Sequence, residues 1–472
     1  MPLMLRSASL VVFALTSLEA AALAQAQGEA TTRVSVDSAG AEGNGDCNAG
    51  RVSISQDGRF VAFDSTASNL VKGDTNAALD VFVYDRLKST IERVSVDSSG
   101  AEANGASFFP MISQNGQVVA FHSKATNLVA GDTNGSEEVF VHDRQSGKTE
   151  RMGVDSAGAQ GNGGSFKSAI SADGRFVSFY SYARNLVAGD TNAKPDVFVH
   201  DRQLATTERV SVDSAGMQSN DGSFKSSVSA DGRFVTFSSY ASNMVSGDTN
   251  GTWDVFVHDR QTGTTERLSV DSAGAEGNGN SFKSTISGDG RFVAFSSDAS
   301  NLVAGDTNGV QDVFLRDRQA GTTRRVSVDS AGAESDGASD KSAISGDGRF
   351  VAIGSRATNL VSGDTNGFSD VFVHGPYLTL EADPVIAPAG ATLTLTTWGG
   401  DPNNLVLLVV TDVDGTPMFL QAVLTTFDAD GVFTVGALVP SGFSGSVISF
   451  ESFGIVATGK VGTSNTVTIT FQ

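Results

Sequence analysis

This chain cannot form an internal disulfide bond, because Cys47 is the only cysteine among its 472 residues. Cys47 lies in a stretch rich in Gly, Asn and Asp with no histidine close to it in sequence, which argues against a catalytic thiol. Proline is scarce at 9 residues, whereas glycine is abundant at 53. Stability must therefore come from a packed core, and the composition favours many short strands joined by tight turns.

Positive charge and long apolar runs are also in short supply. Lys and Arg total 32 against 53 Asp and Glu, which gives a net charge of −21. Such a surface repels nucleic acid and anionic membranes, so we expect a monomer whose partner is a protein or an extracellular polymer. No stretch repeats apolar residues at helical spacing, and no run approaches the ~20 residues of a membrane-spanning helix.

The first 26 residues have the pattern of an export signal. Arg6 precedes an apolar core from Leu10 to Leu18, and Ala22-Leu23-Ala24 offers a small-x-small cleavage site. Glu19 is an awkward charge just after that core. We expect residues 1–26 to be removed and the mature protein to lie in the periplasm or outside the cell.

The dominant feature of the mature chain is an internal repeat. Its clearest mark is the tripeptide Asp-Thr-Asn, which recurs in steps of 58 residues, at Asp74, Asp132, Asp190, Asp248, Asp306 and Asp364. Two further marks, of the Asp-Gly-Arg and Val-Ser-Val-Asp types, alternate with it. Three interleaved series with one period indicate a repeat architecture.

Each unit resolves into four short strands. In the third unit these are residues 165–171, 175–181, 196–201 and 208–213, with a two-residue Asp-Gly hairpin signal between the first pair. Four antiparallel strands in about 58 residues is the size of a propeller blade. We therefore predict an all-β, six-bladed β-propeller over residues 31–375, and regard an open solenoid as the alternative.

The ends of the array suggest how the ring closes. An extra strand at 33–37 precedes the first unit, and the sixth unit stops after its third strand, before Gly375-Pro376. The N-terminal strand is therefore expected to complete the sixth blade, with Val34 and Val36 contributing about 1.5–3 kcal/mol each on burial.

Two resemblances follow from these motifs. The S-x-D-G-R-F-V-A-F hairpin followed by D-V-F-V-x-D-R resembles the PD40, or TolB-like, propeller repeat over residues 31–374. The family's usual proline before Asp-Gly is replaced, for example by Gln56 and Ala172. The GDTNGxxDVFV segment is similar to a shortened calcium-binding FG-GAP loop that lacks two residues of the acidic core.

The acidic loops are candidate calcium sites. The first Asp, the Asn and the Asp that follows offer oxygen ligands in each copy, although Ca²⁺ prefers six to eight. The candidate ligands are Asp74, Asn76, Asp80, Asp132, Asn134, Glu138, Asp190, Asn192, Asp196, Asp248, Asn250, Asp254, Asp306, Asn308, Asp312, Asp364, Asn366 and Asp370. The alternative is that these side chains cap their own backbone in Asx-turns.

A second candidate site is a ring of cations at the start of each innermost strand. Five units carry Lys or Arg there, and the second unit carries Phe109; the cations are Arg51, Lys167, Lys225, Lys283 and Lys341. They would attract an anion to the central channel, or else pair with loop carboxylates and water.

A recurring histidine, at His142, His200, His258 and His374, is interpreted as structural. His122 stands outside that series.

Enzyme signatures are missing: no G-x-S-x-G elbow and no H-E-x-x-H occur. The first hypothesis is an exported, non-enzymatic binding scaffold that engages protein or polymer through its loop-rich face. The alternative is a propeller hydrolase, lactonase- or glycosidase-like, with a metal at the channel mouth.

The alternating strands of residues 376–472 predict a C-terminal, Ig-like β-sandwich.

Overall fold

A computed structural model describes residues 32–365 and 367–375, together with the backbone of four short strands between 392 and 470. The side chains of residues 48–51 lie outside this description, as does the whole export signal. Within the described part of the chain, no helix is long and apolar enough to cross a membrane. The chain divides into two units, Met1–Leu378 and Thr379–Gln472.

The first unit contains six antiparallel sheets, one for each sequence repeat, which confirms the six-bladed β-propeller. Blades one to three comprise β1 Cys47–Ile54, β2 Phe60–Ser65, β3 Asp80–Asp85, β4 Thr90–Arg93; β5 Ser107–Ile112, β6 Val118–Ser123, β7 Glu138–Asp143, β8 Lys148–Arg151; β9 Ser165–Ile170, β10 Phe176–Ser181, β11 Asp196–Asp201 and β12 Thr206–Arg209. Blades four to six comprise β13 Ser223–Val228, β14 Phe234–Ser239, β15 Asp254–Asp259, β16 Thr264–Arg267; β17 Ser281–Ile286, β18 Phe292–Ser297, β19 Asp312–Asp317, β20 Thr322–Arg325; β21 Ser339–Ile344, β22 Val351–Ser355 and β23 Asp370–His374.

The fourth strand of each blade is shorter than the sequence predicts. In the third blade, β12 ends at Arg209, and the Val-Ser-Val-Asp segment after it leaves the sheet to bridge Val212 to Gln218. The turn between the first two strands is also longer than the predicted two-residue Asp-Gly hairpin, because residues 171–175 all lie between β9 and β10. Gly174 donates to the Ser171 carbonyl at 3.0 Å in a wider turn, with φ at +77°. Alternation alone does not distinguish a strand end from an extended crossover.

The core lies between consecutive blades. Between the third and fourth, Val197 and Val199 of β11 pack against Val235, Phe237 and their neighbours. The two central strands of a blade are buried along nearly their whole length, because both of their faces are covered. This stacking of blade on blade places strand ends, loops and turns at two opposite faces of the propeller.

The first and sixth blades each have one open face. Val371 and Val373 of β23 are 79% and 68% exposed, and Val52 and Ile54 of β1 are both 56% exposed. Among the described pairings, β23 is joined only to β22, so the sixth sheet has three strands. Val36 packs on the first blade with Phe63 and Phe82. Closure of the ring by residues 33–37 stays a prediction, since none of the described pairings joins these residues to β23.

The second unit is described only in part. β24 Thr392–Thr397 pairs antiparallel with β27 Asn465–Thr470, and β25 Asp412–Val413 pairs with β26 Thr416–Pro417. These pairs are compatible with an all-β domain. The rest of residues 376–472 lies outside the described residues, so the β-sandwich stays a prediction.

Candidate functional site

The long loops and the crossovers share one face of the propeller, called the loop face here. It comprises the loops between second and third strands, which carry Gly-Asp-Thr-Asn, and the crossovers between blades. Asn127 and Asn104 join the two: the Asn104 amide N–H donates to Asn127 at 2.9 Å, and the Asn127 side chain donates to the Glu102 carbonyl at 2.8 Å. The sequence-based placement of these loops on one face is confirmed.

The opposite face, called the hairpin face, carries the other two turns of each blade. The arginine of Asp-Gly-Arg forms a two-pronged ion pair with the last residue of the third strand: Arg233 Nε and Nη2 lie 2.9 and 2.6 Å from the Asp259 carboxylate. This pairing holds the pKa of Asp259 below its usual range. It recurs at Arg59–Asp85, Arg175–Asp201 and Arg291–Asp317. The Asp-Gly-Arg motif therefore joins two turns of one blade.

The recurring asparagine makes an Asx-turn in the acidic loops of the first five blades. In the first blade, the Asn76 side-chain oxygen accepts from the Ala78 amide at 2.8 Å, and its amide nitrogen donates to Asp80 and to the Ala103 carbonyl at 2.8 and 2.9 Å. Asn134, Asn192, Asn250 and Asn308 repeat this arrangement. The N–H₂ side of the amide, rather than its oxygen, therefore faces the carboxylate.

Each of these loops also holds a carboxylate cluster with an arginine inside it. Asp74, Asp80 and Glu102 place carboxylate oxygens within 4.8 Å of one another. Arg93 Nη1 lies 3.6, 3.6 and 2.9 Å from their oxygens, respectively. The guanidinium comes from the end of the fourth strand, and its positive charge is what brings three carboxylates together in a poorly hydrated site.

The cluster recurs in the next four blades, with a number of acidic side chains that differs between blades. Arg267 and Arg325 each contact two aspartates and a glutamate, whereas Gln160 and Gln218 replace the glutamate in blades two and three. Burial raises the pKa of Asp248 to about 6, despite the opposing effect of Arg267. Burial also raises the pKa values of Asp74, Asp80 and Asp254.

This donor set does not fit Ca²⁺ as it stands. Each arginine supplies the positive charge that a metal would bring, and each described asparagine turns its nitrogen toward the carboxylate. In the sixth blade Asn366 lies outside the described residues, so Asp364 and Asp370 cannot be assessed as a set. The arginine that precedes Val-Ser-Val-Asp for that blade is Arg33, and it pairs with Glu42. Calcium binding at these loops stays a prediction.

The lysines of the innermost strands lie at β-bulges. Lys167, Lys225 and Lys283 have φ of 53°, 52° and 57°, in the left-handed region that non-glycine residues seldom adopt. Their ladders are interrupted there. Lys167 Nζ lies 3.3 Å from the Phe109 ring centre, and Lys283 Nζ lies 2.9 Å from Asp340. Burial, with Lys283 nearby, lowers the pKa of Lys225.

The ring of cations is therefore broken into unlike sites. Lys341 is exposed, and the Arg51 side chain lies outside the described residues. The neighbours of Lys167 and Lys283 come from adjoining inner strands rather than from the acidic loops. The second blade carries Phe109 in this position with φ at 57°, so the same bulge forms without a cation.

The repeated histidines are bonded to the fourth strand. His142, His200 and His258 are buried and place Nδ1 2.9, 2.8 and 2.8 Å from a threonine hydroxyl. Burial lowers the pKa of each. These contacts agree with a structural role.

Sequence reasoning missed a histidine–carboxylate pair in the second blade. His122 Nδ1 lies 3.3 Å from Glu137, and its Nε2 accepts from the Ser168 amide at 3.2 Å. Because Nε2 is an acceptor, the proton is on Nδ1 and is directed at the glutamate. Strand pairing brings the two residues together from 15 positions apart, and only the second unit has this combination.

Sequence reasoning also missed a continuous row of aromatic rings on the loop face. Tyr180 stands 5.4 Å from Phe166 and 5.2 Å from Phe224, measured between ring centres. Trp253 continues the row 5.3 Å beyond Phe224. Tyr182 at one end and Tyr240 at the other are 53% and 45% exposed. These six residues, Phe166, Tyr180, Tyr182, Phe224, Tyr240 and Trp253, are called the aromatic row.

The aromatic row departs from the repeat. The positions equivalent to Tyr180 carry Asp64, His122, Ser238, Ser296 and Gly354, and those equivalent to Trp253 carry Leu79, Glu137, Pro195, Gln311 and Ser369. Comparing the six units position by position would have found this signal. Phe166 and Phe224 occupy a position that is also Phe in the second and fifth blades, so the three tyrosines and Trp253 are what sets the row apart from the repeat.

Comparison with known proteins finds similarity only among solved structures. No family model matches the chain, and no curated protein matches it. Among solved structures, TolB from Acinetobacter baumannii is 15% identical over 63% of this chain and 60% of that chain, with a TM-score of 0.36. Oligogalacturonate lyase in complex with manganese is 10% identical over 64% and 69%, with a TM-score of 0.42.

A third similar structure is the β-propeller domain of the trilobed protease from Pyrococcus furiosus. It is 11% identical over 77% of this chain and 89% of that domain, with a TM-score of 0.44. The match to the A. baumannii TolB spans less than two thirds of that protein. The six-bladed fold is established by the chain's own sheets, and these likenesses assign no activity to the chain.

Proposed function

We propose that this chain is an exported, non-enzymatic scaffold that binds a protein or an extracellular polymer on its loop face. The observation that carries the proposal is the aromatic row, because it departs from the repeat and leaves two tyrosines exposed. Long loops on a rigid scaffold are a usual location for binding residues. Exposed apolar groups gathered on one surface are typical of interaction sites.

The hydrolase alternative would need several carboxylates from different blades directed at the channel. The described side chains of the inner strands include one carboxylate, Asp340, beside four lysines, Lys167, Lys225, Lys283 and Lys341. The carboxylate clusters of the loop face already hold an arginine. The binding scaffold is therefore the better supported function.

Blocking one face at a time tests this proposal. In a Cys47→Ser background, Ala188→Cys places a thiol on the loop face of the third blade, and Leu204→Cys places one on its hairpin face; both positions are exposed. Each is coupled to a bulky polyethylene glycol maleimide and used as bait in the organism's secreted fraction. Loss of captured partner only with Ala188→Cys supports the proposal. Equal capture by both conjugates, or no capture by the unlabelled protein, contradicts it.

A further inference from the structure

Lysines adjoin the aromatic row in sequence, although the protein as a whole is strongly acidic. Lys167 follows Phe166 and Lys225 follows Phe224 along the inner strands. The Lys225 side chain is only partly buried, and Lys283 is near enough to act on its charge. In a chain of net charge −21, a local group of lysines attracts anions to one place and leaves the rest of the surface repulsive to them.

The shape of the row fits a chain of rings better than a single small molecule. Its six aromatic residues run from the third blade to the fourth, with neighbouring centres 5.2 to 6.2 Å apart. The exposed tyrosines stand at its two ends. Aromatic faces bind the apolar C–H faces of sugar rings, and successive rings can hold successive sugars of one polymer.

Lysines of the innermost strands lie among aromatic rings. Lys167 Nζ lies 3.3 Å from the centre of the Phe109 ring, and Lys283 Nζ lies 5.5 Å from the centre of the Phe282 ring. Cations and rings therefore occur together along the innermost strands.

We propose that the aromatic row and its adjoining lysines bind an anionic polysaccharide, one whose sugars carry carboxylate groups, across the third and fourth blades. The sugar faces stack on Tyr182, Tyr240 and the rings between them, and the carboxylates pair with Lys167 and Lys225. This inference rests on the proposed function and specifies its ligand class. A proline-rich peptide also docks on aromatic surfaces, but it makes no use of the lysines.

The test is a titration of the full mature chain with polygalacturonate, with neutral dextran and a polyproline peptide in parallel. The wild-type protein is expected to bind polygalacturonate, more weakly as salt rises, and to bind dextran at least tenfold less tightly. Binding of the polyproline peptide in preference to polygalacturonate, or of dextran as tightly as polygalacturonate, would overturn the inference. So would the absence of polygalacturonate binding.

Paired variants locate the site. Tyr182→Ala combined with Tyr240→Ala should weaken polygalacturonate binding at least tenfold, and since both side chains are exposed the melting temperature should hold. Asp298→Ala, at the same repeat position in the fifth blade, is the matched control. Lys225→Gln should weaken binding and flatten its salt dependence, whereas Lys341→Gln, its counterpart in the sixth blade, should have little effect.

The outcomes separate this inference from the proposed function. If the tyrosine variant binds polygalacturonate like wild type, the site assignment is wrong. If polygalacturonate does not bind while the face-blocking experiment still shows partner capture on the loop face, the ligand class is wrong and the scaffold function stands. If neither experiment shows binding at the loop face, both fail.

Discussion

The hairpin face and the loop face of this propeller are built from the same repeat, yet they have diverged differently. On the hairpin face, the pair formed by Arg59 and Asp85 recurs in the third, fourth and fifth blades with nearly the same geometry. On the loop face, the position of Tyr180 carries Asp, His, Ser or Gly in the remaining blades. Contacts that hold a blade together are repeated, whereas residues available to a ligand vary from blade to blade.

The loop face itself has two layers. Below the surface, Arg93 and its counterparts hold buried carboxylates, and this layer is repeated in five blades. Above it, the aromatic row is confined to two blades. The comparison predicts that variants of the repeated layers affect stability, whereas variants of the aromatic row affect binding.

The largest effect is expected from Arg267→Ala. The substitution leaves Asp248, Asp254 and Glu276 close together without their cation, and loss of one partner of a buried ion pair typically costs about 3–5 kcal/mol. Urea unfolding at neutral pH measures this loss in the free energy of unfolding. The control is Arg33→Ala, at the matching repeat position, where the pair with Glu42 is exposed and should contribute below about 1 kcal/mol. Equal effects would remove the distinction between the two sites.

A smaller loss is expected from Arg233→Ala on the hairpin face. It removes two charge-assisted hydrogen bonds to Asp259, and since Arg233 is partly exposed the expected cost is about 1–2 kcal/mol. The lowered pKa of Asp259 means that this stabilisation is present above about pH 4 and is lost in more acidic solution. Unfolding of both proteins from pH 3 to 7 tests this, with Gln117→Ala as the second-blade control.

Asp248→Asn is expected to act in the opposite direction. The pKa of Asp248 is raised to about 6, so its contribution to stability is complete below about pH 4 and is lost as the pH rises through 6. The variant should therefore melt higher than wild type at pH 8, by the equivalent of about 1 kcal/mol or less, and the gap should close toward pH 4. Asp298→Asn, which removes an exposed carboxylate from the same face, is the control for the loss of one negative charge. A variant less stable at pH 8 than at pH 4, relative to wild type, contradicts the assignment.

The smallest effect on stability is expected from the removal of calcium. Because arginine already neutralises the described clusters, chelation with EDTA should leave the melting temperature of the wild-type chain unchanged. Arg267→Ala, which exposes three carboxylates to one another, should gain a calcium-dependent rise in melting temperature. A drop in the wild-type melting temperature on chelation would show that the loops bind calcium after all.

Much of the fold was predictable because its period is regular. The spacing from Asp74 to Asp132 and onward fixed the number of blades, and strand order then placed the loops and crossovers on one face. Strand ends were less predictable: β12 stops at Arg209 because the residues after it contact the crossover instead of the sheet. Extended segments of both kinds have the same alternation.

The site was less predictable because its members are distant in sequence. Asn76 was a candidate calcium ligand or an Asx-turn residue, and its hydrogen bonds show the turn. Arg93, 13 residues after Asp80, was not considered, since nothing in the acidic motif points to it. The aromatic row joins residues from two blades, and a repeat consensus hides the positions where single units diverge.

Hydrogen–deuterium exchange on the full chain, alone and with the partner recovered on it, tests the central distinction between the two faces most directly. The account predicts protection of backbone amides in loop-face segments of the third and fourth blades, residues 160–164, 182–194 and 240–253. The hairpin turns at residues 86–89, 144–147 and 202–205 should exchange as they do in the free protein. Protection of those turns, with the loop face unchanged, would contradict it.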